Sequence, residues 1–227
     1  MSPDRRPFIF IQMISSVCKK RRIFITKNTE VIFILDRSGS MSGLESDTIG
    51  GYNSILKQQR EADGDVNVTT VLFDDRYELL HNRENIRKIS DLTAKEYYVR
   101  GCTALVDAMG ITISRFIREI NDEKVLFVIT TDGYENASRE YTADAVRKMI
   151  EKQKEKGWEF IFMGTNIDAV STGRQFGIAR NRNYVNDSKG IEATYGSLRR
   201  AVKSFVENSA VDENWDEEVN TDYRRMR

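Results

Sequence analysis

Three short stretches of this chain gather oxygen-bearing side chains. Asp36, Ser38 and Ser40 lie in Asp36-Arg37-Ser38-Gly39-Ser40-Met41, Thr103 in Gly101-Cys102-Thr103-Ala104-Leu105, and Asp132 in Thr130-Thr131-Asp132-Gly133. Two carboxylates and three hydroxyls, without nitrogen or sulfur, form a hard donor set. Such a set suits Mg²⁺ or Ca²⁺, whereas zinc prefers imidazole or thiolate. Residues 36, 38 and 40 leave a strand and enter a tight turn, where Gly39 is expected to supply unusual backbone angles. Alternate side chains then converge on one point. Neutral hydroxyls leave much of a cation's charge uncompensated, so an acidic group from outside would complete the shell. The constellation reads as a site for recognising carboxylates.

The elements needed to position those loops are legible between about residues 28 and 208. Val31-Ile32-Phe33-Ile34-Leu35, Val125-Leu126-Phe127-Val128-Ile129 and Phe160-Ile161-Phe162-Met163 are continuous apolar runs, as expected of strands buried on both faces. Residues 66–73 give a fourth strand, and Asp74-Asp75-Arg76 turns into a short antiparallel partner at 77–80. Between them, apolar residues recur at helical spacing. They do so from Ile49 to Leu56, Leu105 to Ile120, Val146 to Ile150, Ile167 to Phe176 and Ile191 to Phe205. Alternating strands and helices predict an α/β fold: a doubly wound, Rossmann-like, mainly parallel sheet with one short antiparallel edge strand and helices on both faces. Ligands of such sheets bind beyond the carboxyl ends of the strands, which is where the three loops fall.

Composition narrows the function classes. Lys+Arg 35 against Asp+Glu 35 gives no net charge, which argues against a nucleic-acid partner. No apolar run is long enough to span a membrane, so no membrane partner is expected. Cys18 and Cys102 are far apart and His81 is the only histidine, which removes disulfide scaffolds and His-based triads.

The ends differ from the middle. Residues 1–27 carry seven basic side chains against Asp4, and Lys19-Lys20-Arg21-Arg22 stands where a signal peptide would have its cleavage site. We read a basic and apolar extension, not an export signal. The segment 209–227 holds six acids and three arginines around Trp215, and reads as an acidic, flexible tail.

Asp-x-Ser-x-Ser alone arises by chance in about one chain in twenty of this length. Its placement after the first buried strand, with Gly-x-Thr-Ala-Leu before a helix and Thr-Asp-Gly after a central strand, is far more specific. On these residues, 28–208 resembles the von Willebrand factor type A domain with its metal-ion-dependent adhesion site. The resemblance implies that Ser38, Ser40 and Thr103 hold the metal directly and that Asp36 and Asp132 act mostly through bound waters. It implies Mg²⁺, with Ca²⁺ or Mn²⁺ as alternatives, and a partner protein bound through an acidic side chain. The text at 130–138 is similar to intracellular bacterial or phage members, so a cytoplasmic protein, monomeric by itself, is expected.

Other readings lack residues they need. A Mg²⁺-dependent phosphatase or hydrolase with Asp36 as nucleophile wants a second acid at position 38, which is serine. Nucleotide-binding glycine loops are missing, and Gly39-Ser40-Met41-Ser42-Gly43 has methionine where a hydrolase nucleophile belongs. The chain is therefore expected to be a binding module and not an enzyme. Around the site, Arg37 and Met41 are expected to point outward and Cys102 to be small and buried. His81 should lie on the surface, and Glu135 and Asn136 either rim the site or cap the turn and next helix. Asn166 is a further edge candidate.

Overall fold

A computed structural model describes residues 28–62, 64–165 and 169–225. Asn166, Cys18 and the extension 1–27 lie outside the described residues. Six strands form one sheet: β1 (Thr29–Asp36), β2 (Val66–Phe73), β3 (Tyr77–Asn85), β4 (Lys124–Thr131), β5 (Glu159–Gly164) and β6 (Arg180–Asn183). Their order is β3-β2-β1-β4-β5-β6, and every pairing is parallel except β2 with β3. The helices are α1 (Glu45–Glu61), α2 (Leu105–Glu119), α3 (Ala143–Lys154), α4 (Ala169–Gln175), α5 (Ser188–Asn208) and α6 (Glu217–Arg224).

Every residue of β1 is buried, as its unbroken apolar run requires. Val31, Phe33 and Leu35 join one core with residues of α1, α5 and α6, while Ile32 and Ile34 join a second with residues of α2 and α3. This alternation is the pleat period of two expressed on both sheet faces. The expected α/β class and the antiparallel edge strand are both present. Chain order reverses between β1 and β4: α1 leads from β1 to β2 on one side, and α2 leads to β4 on the other. That switch point opens a crevice above the carboxyl ends of β1 and β4.

Two expectations need correction. The segment read as an acidic, flexible tail is packed: Val211, Trp215 and Val219 belong to the first core, and Trp215 is 2% exposed. Its acids Asp216 and Glu217 find cations on the body of the fold, Arg182 and Arg200, while its own Arg225 pairs with Asp222 and reaches back to Asp187. The edge strand β3 also runs on to Asn85, beyond the short stretch expected, because half-buried polar residues continue the ladder with β2.

Candidate functional site

Asp36 is the last residue of β1, and its carboxylate folds back over the turn that follows. Its Oδ1 accepts the Ser38 backbone N–H at 2.7 Å, the closed loop by which aspartate shapes turns. Its Oδ2 accepts the Thr131 hydroxyl at 2.5 Å. Both oxygens of this buried carboxylate therefore have partners. Gly39 begins a short 3₁₀ turn and does not use the left-handed region; in the second loop it is Gly101 that does, at φ 66°. The role expected of Gly39 is corrected accordingly.

The three loops bring all five candidate residues together. The Thr103 hydroxyl donates to Ser38 Oγ at 2.9 Å, Ser38 and Ser40 hydroxyls are 3.1 Å apart, and Ser40 Oγ donates to Asp132 Oδ1. A hydroxyl has one proton, so Ser40, donating to the carboxylate, must accept from Ser38. The chain then runs one way, from Thr103 through Ser38 and Ser40 to Asp132. Each oxygen retains a lone pair. The other Asp132 oxygen, Oδ2, is buried and has no hydrogen-bond partner.

Gly133 keeps this cluster open. A β-carbon there would lie 2.5 Å from Thr103 Oγ1, 3.0 Å from Ser40 Oγ and 3.5 Å from Ser38 Oγ. Burial pushes the Asp132 carboxyl up to about 6, the nearby Asp36 charge acting in the same direction against the Ser40 hydrogen bond. Asp36 is also raised by burial, which outweighs its bonds to Thr131 and Ser38. Two carboxylates that resist ionisation in one pocket are groups a cation would favour. Among the described residues no three His, Cys, Asp or Glu side chains are grouped to hold a metal by themselves. Any cation here would depend on the hydroxyls as well. The donor set fits a hard divalent ion.

Several neighbours went unnoticed in the sequence. Thr131 anchors Asp36, and the buried Tyr97 hydroxyl donates to the Asp36 carbonyl, while that of Tyr184 donates to the Thr131 carbonyl at 3.4 Å. The Thr-Thr-Asp-Gly text carried a signal for Thr131; the tyrosines had none, since only the fold brings them there. Glu135 and Asn136 do cap, but not the next helix. Glu135 Oε2 accepts the Val106 N–H at 2.8 Å at the start of α2, and Asn136 Oδ1 accepts the Thr103 N–H at 2.9 Å.

Three further expectations are overturned. Arg37 is 0% exposed and Met41 is buried, whereas Cys102 is exposed. Arg37 turns inward because Asp74 and Glu78 offer it carboxylates. His81 is half-buried on β3, its Nδ1 3.1 Å from Thr70 Oγ1.

No protein-family model matches this chain, and no curated protein matches it in sequence. Solved structures resemble its fold. The PilB minor pilin of Streptococcus sanguinis has TM-score 0.60 at 12% identity, covering 81% of this chain and 63% of that one. The pilus adhesin SpaC of Lactobacillus rhamnosus GG has TM-score 0.61 at 14% identity, with coverages of 80% and 30%. The manganese-loaded TRAP protein of Plasmodium vivax has TM-score 0.52 at 17% identity, with coverages of 67% and 63%. The chain spans less than two thirds of each of these proteins. At such identities the likeness shows the α/β fold, a mainly parallel sheet flanked by helices, and nothing finer. Among the described residues, no helix is long and apolar enough to cross a membrane.

Proposed function

We propose that the chain is a divalent-metal-dependent binding module that recognises an acidic group of a partner protein. The observation that carries this reading is Asp132 Oδ2, a buried carboxylate oxygen without a partner beside three converging hydroxyls. Leaving a buried acceptor unsatisfied costs about 1–3 kcal/mol, so a cation drawn to it would relieve a real penalty. Ser38, Ser40 and Thr103 would hold the metal, with Asp36 and Asp132 behind them through waters. When bound, the ion supplies a positive centre to which an external carboxylate can attach. The manganese named for the TRAP protein supports a divalent ion by analogy of fold. Mg²⁺ is the ion proposed, with Mn²⁺ a convenient probe.

The protein's own residues supply the selectivity. Both Asp36 oxygens are engaged and the side chain is buried, which supports a holding role over attack on a phosphoester. We further propose, from the text at 130–138 and the balanced charge, that the protein is cytoplasmic, monomeric alone and without a nucleic-acid or membrane partner. Metal alone should bind weakly, because the direct ligands are neutral. With a dissociation constant on the order of 1 mM, about 10 mM Mg²⁺ would stabilise the fold by roughly 1.4 kcal/mol. That is a melting shift of about 3–6 °C for a chain of this size. Calorimetry and melting scans with Mg²⁺ and Mn²⁺ test it, with Ser38→Ala and Thr103→Ala as controls. Equal metal affinity in wild type and both variants would reject the site. Phosphoester turnover lost in Asp36→Asn would favour the hydrolase.

A further inference from the structure

Arg37 stands at the first variable position of Asp-x-Ser-x-Ser, yet it is among the largest fully buried side chains of the protein. Its guanidinium is shared among three segments. Nε donates to Asp74 Oδ2 at 2.9 Å, Nη2 to Glu78 Oε2 at 2.7 Å, and Nη1 to the Glu96 carbonyl at 3.2 Å. Asp74 Oδ2 also accepts Arg100 Nε at 2.7 Å, and its Oδ1 accepts the Arg76 N–H at 2.8 Å. The guanidinium carbons of Arg37 and Arg100 lie 5.4 and 5.3 Å from the Tyr98 ring centroid.

This cluster sits on a long connection without strand or helix. Residues 86–104 join β3 to α2, and this connection delivers Thr103. Asn136 fastens Thr103 to the loop that carries Asp132. The Arg37 cluster fastens the same segment to the loop that carries Asp36, Ser38 and Ser40. Beside it, the Arg100 N–H donates to the Arg37 carbonyl at 2.9 Å, the Gly39 N–H to the Gly101 carbonyl at 3.2 Å, and the Ala104 N–H to the Asp74 carbonyl at 2.9 Å.

A buried ion pair adds little net stability over apolar residues of the same volume. What it imposes is geometry, because a guanidinium fork is satisfied only when its acceptors stand in fixed directions. We propose that Arg37, through Asp74 and Arg100, is a positioning residue that locks the segment 98–103 against the 36–40 loop, so that Thr103 and Ser38 are in place before any cation arrives. The metal-binding role of that place rests on the function proposed above; the ordering of the segment does not.

The test compares wild type with Arg37→Met/Asp74→Asn, which removes both charges of the central pair. Hydrogen exchange of the metal-free proteins is followed at residues 98–104 and at 125–129 of β4. Mn²⁺ affinity is measured by water-proton relaxation. Exchange at 98–104 should rise at least tenfold with β4 unchanged, and Mn²⁺ should bind at least tenfold more weakly. Arg37→Lys, which keeps the charge but loses the fork, should fall between. Exchange within twofold of wild type would overturn the proposal, as would faster exchange with unaltered Mn²⁺ affinity. If the double variant does not fold, the same comparison is made with Arg100→Gln, on a side chain 33% exposed. Lack of Mn²⁺ binding by wild type would reject the metal reading instead, while exchange alone would still decide whether Arg37 orders the segment.

Discussion

Gly133 is where the cluster is easiest to close without touching a ligand. Adding one methyl group would place a carbon 2.5 Å from Thr103 Oγ1, which must then move away from Ser38. Gly133→Ala is therefore expected to abolish Mn²⁺ binding at 1 mM. The metal-free melting temperature should fall only by a few degrees, because reduced freedom of the unfolded chain, worth about 0.4–1 kcal/mol, offsets part of the clash. A titration beside a melting scan checks both halves. The same scale shows what the sequence could reveal. Asp36, Ser38 and Ser40 were legible because their spacing acts within one turn, and Thr103 and Asp132 because each sits at a recognisable strand or helix end. The directions of Arg37, Met41 and Cys102 were not. A side chain leaving a strand end turns toward whatever distant segments offer, and no local spacing encodes that Asp74 waits for Arg37.

At the scale of elements, the strands with apolar runs were legible and those without were not. β6 reads Arg-Asn-Arg-Asn, with no alternation to mark it, and exists because β5 offers an open edge for it to pair with. Its buried Asn181 is held by the Ile178 carbonyl, and a β-carbon on Gly173 of α4 would collide with it. β3 was underestimated for a related reason. Its second half is polar, and register shifts around Thr70 disturb the regular ladder with β2. His81 faces that irregularity, near Thr70, which also meets the Tyr52 hydroxyl at 2.5 Å. Partial burial lowers the His81 pKa from its ordinary 6.5, against the raising effect of Glu84 and Glu96. The unfolded chain therefore takes up this proton at a higher pH than the folded one. Stability contributed by neutral His81 is complete above about 6.5 and declines as the pH falls through the window down to the lowered value. His81→Gln should flatten the stability profile just below pH 6.5 relative to wild type. Urea unfolding across that range, with the imidazole titration followed by NMR, gives the answer. An imidazole titrating at or above 6.5 would contradict it.

For the whole molecule, the question is where the folding unit stops. A segment with six acids among nineteen residues looks solvated when only its own composition is read. The arginines that receive those acids lie mainly on β6 and α5, far enough back in the chain that no local pattern links them. Trp215 lies beneath this ionic layer, with the Arg182 guanidinium 5.8 Å from its ring centroid, and joins the same core as Tyr195, Leu198 and Phe205 of α5. Val219 on α6 is fully buried there, and its N–H donates to Ser197 Oγ at 3.0 Å. The rim ion pairs are partly exposed and each contributes little. The apolar contacts carry the docking. Trp215→Ala should therefore cost about 3–5 kcal/mol, a melting decrease of roughly 6–20 °C. Arg200→Gln, which removes only the partly exposed contacts to Glu217, Glu218 and the Asn214 carbonyl, should shift melting by no more than about 4 °C. A chain ending at Asn208 should be at least as unstable as Trp215→Ala, since it also loses Val211 and Val219 from the first core. Thermal unfolding of these three proteins beside wild type distinguishes a docked segment from an ornament. A chain ending at Asn208 that melts within 2 °C of wild type would mean that residues 28–208 suffice for the fold and that the terminal helix merely rests on it.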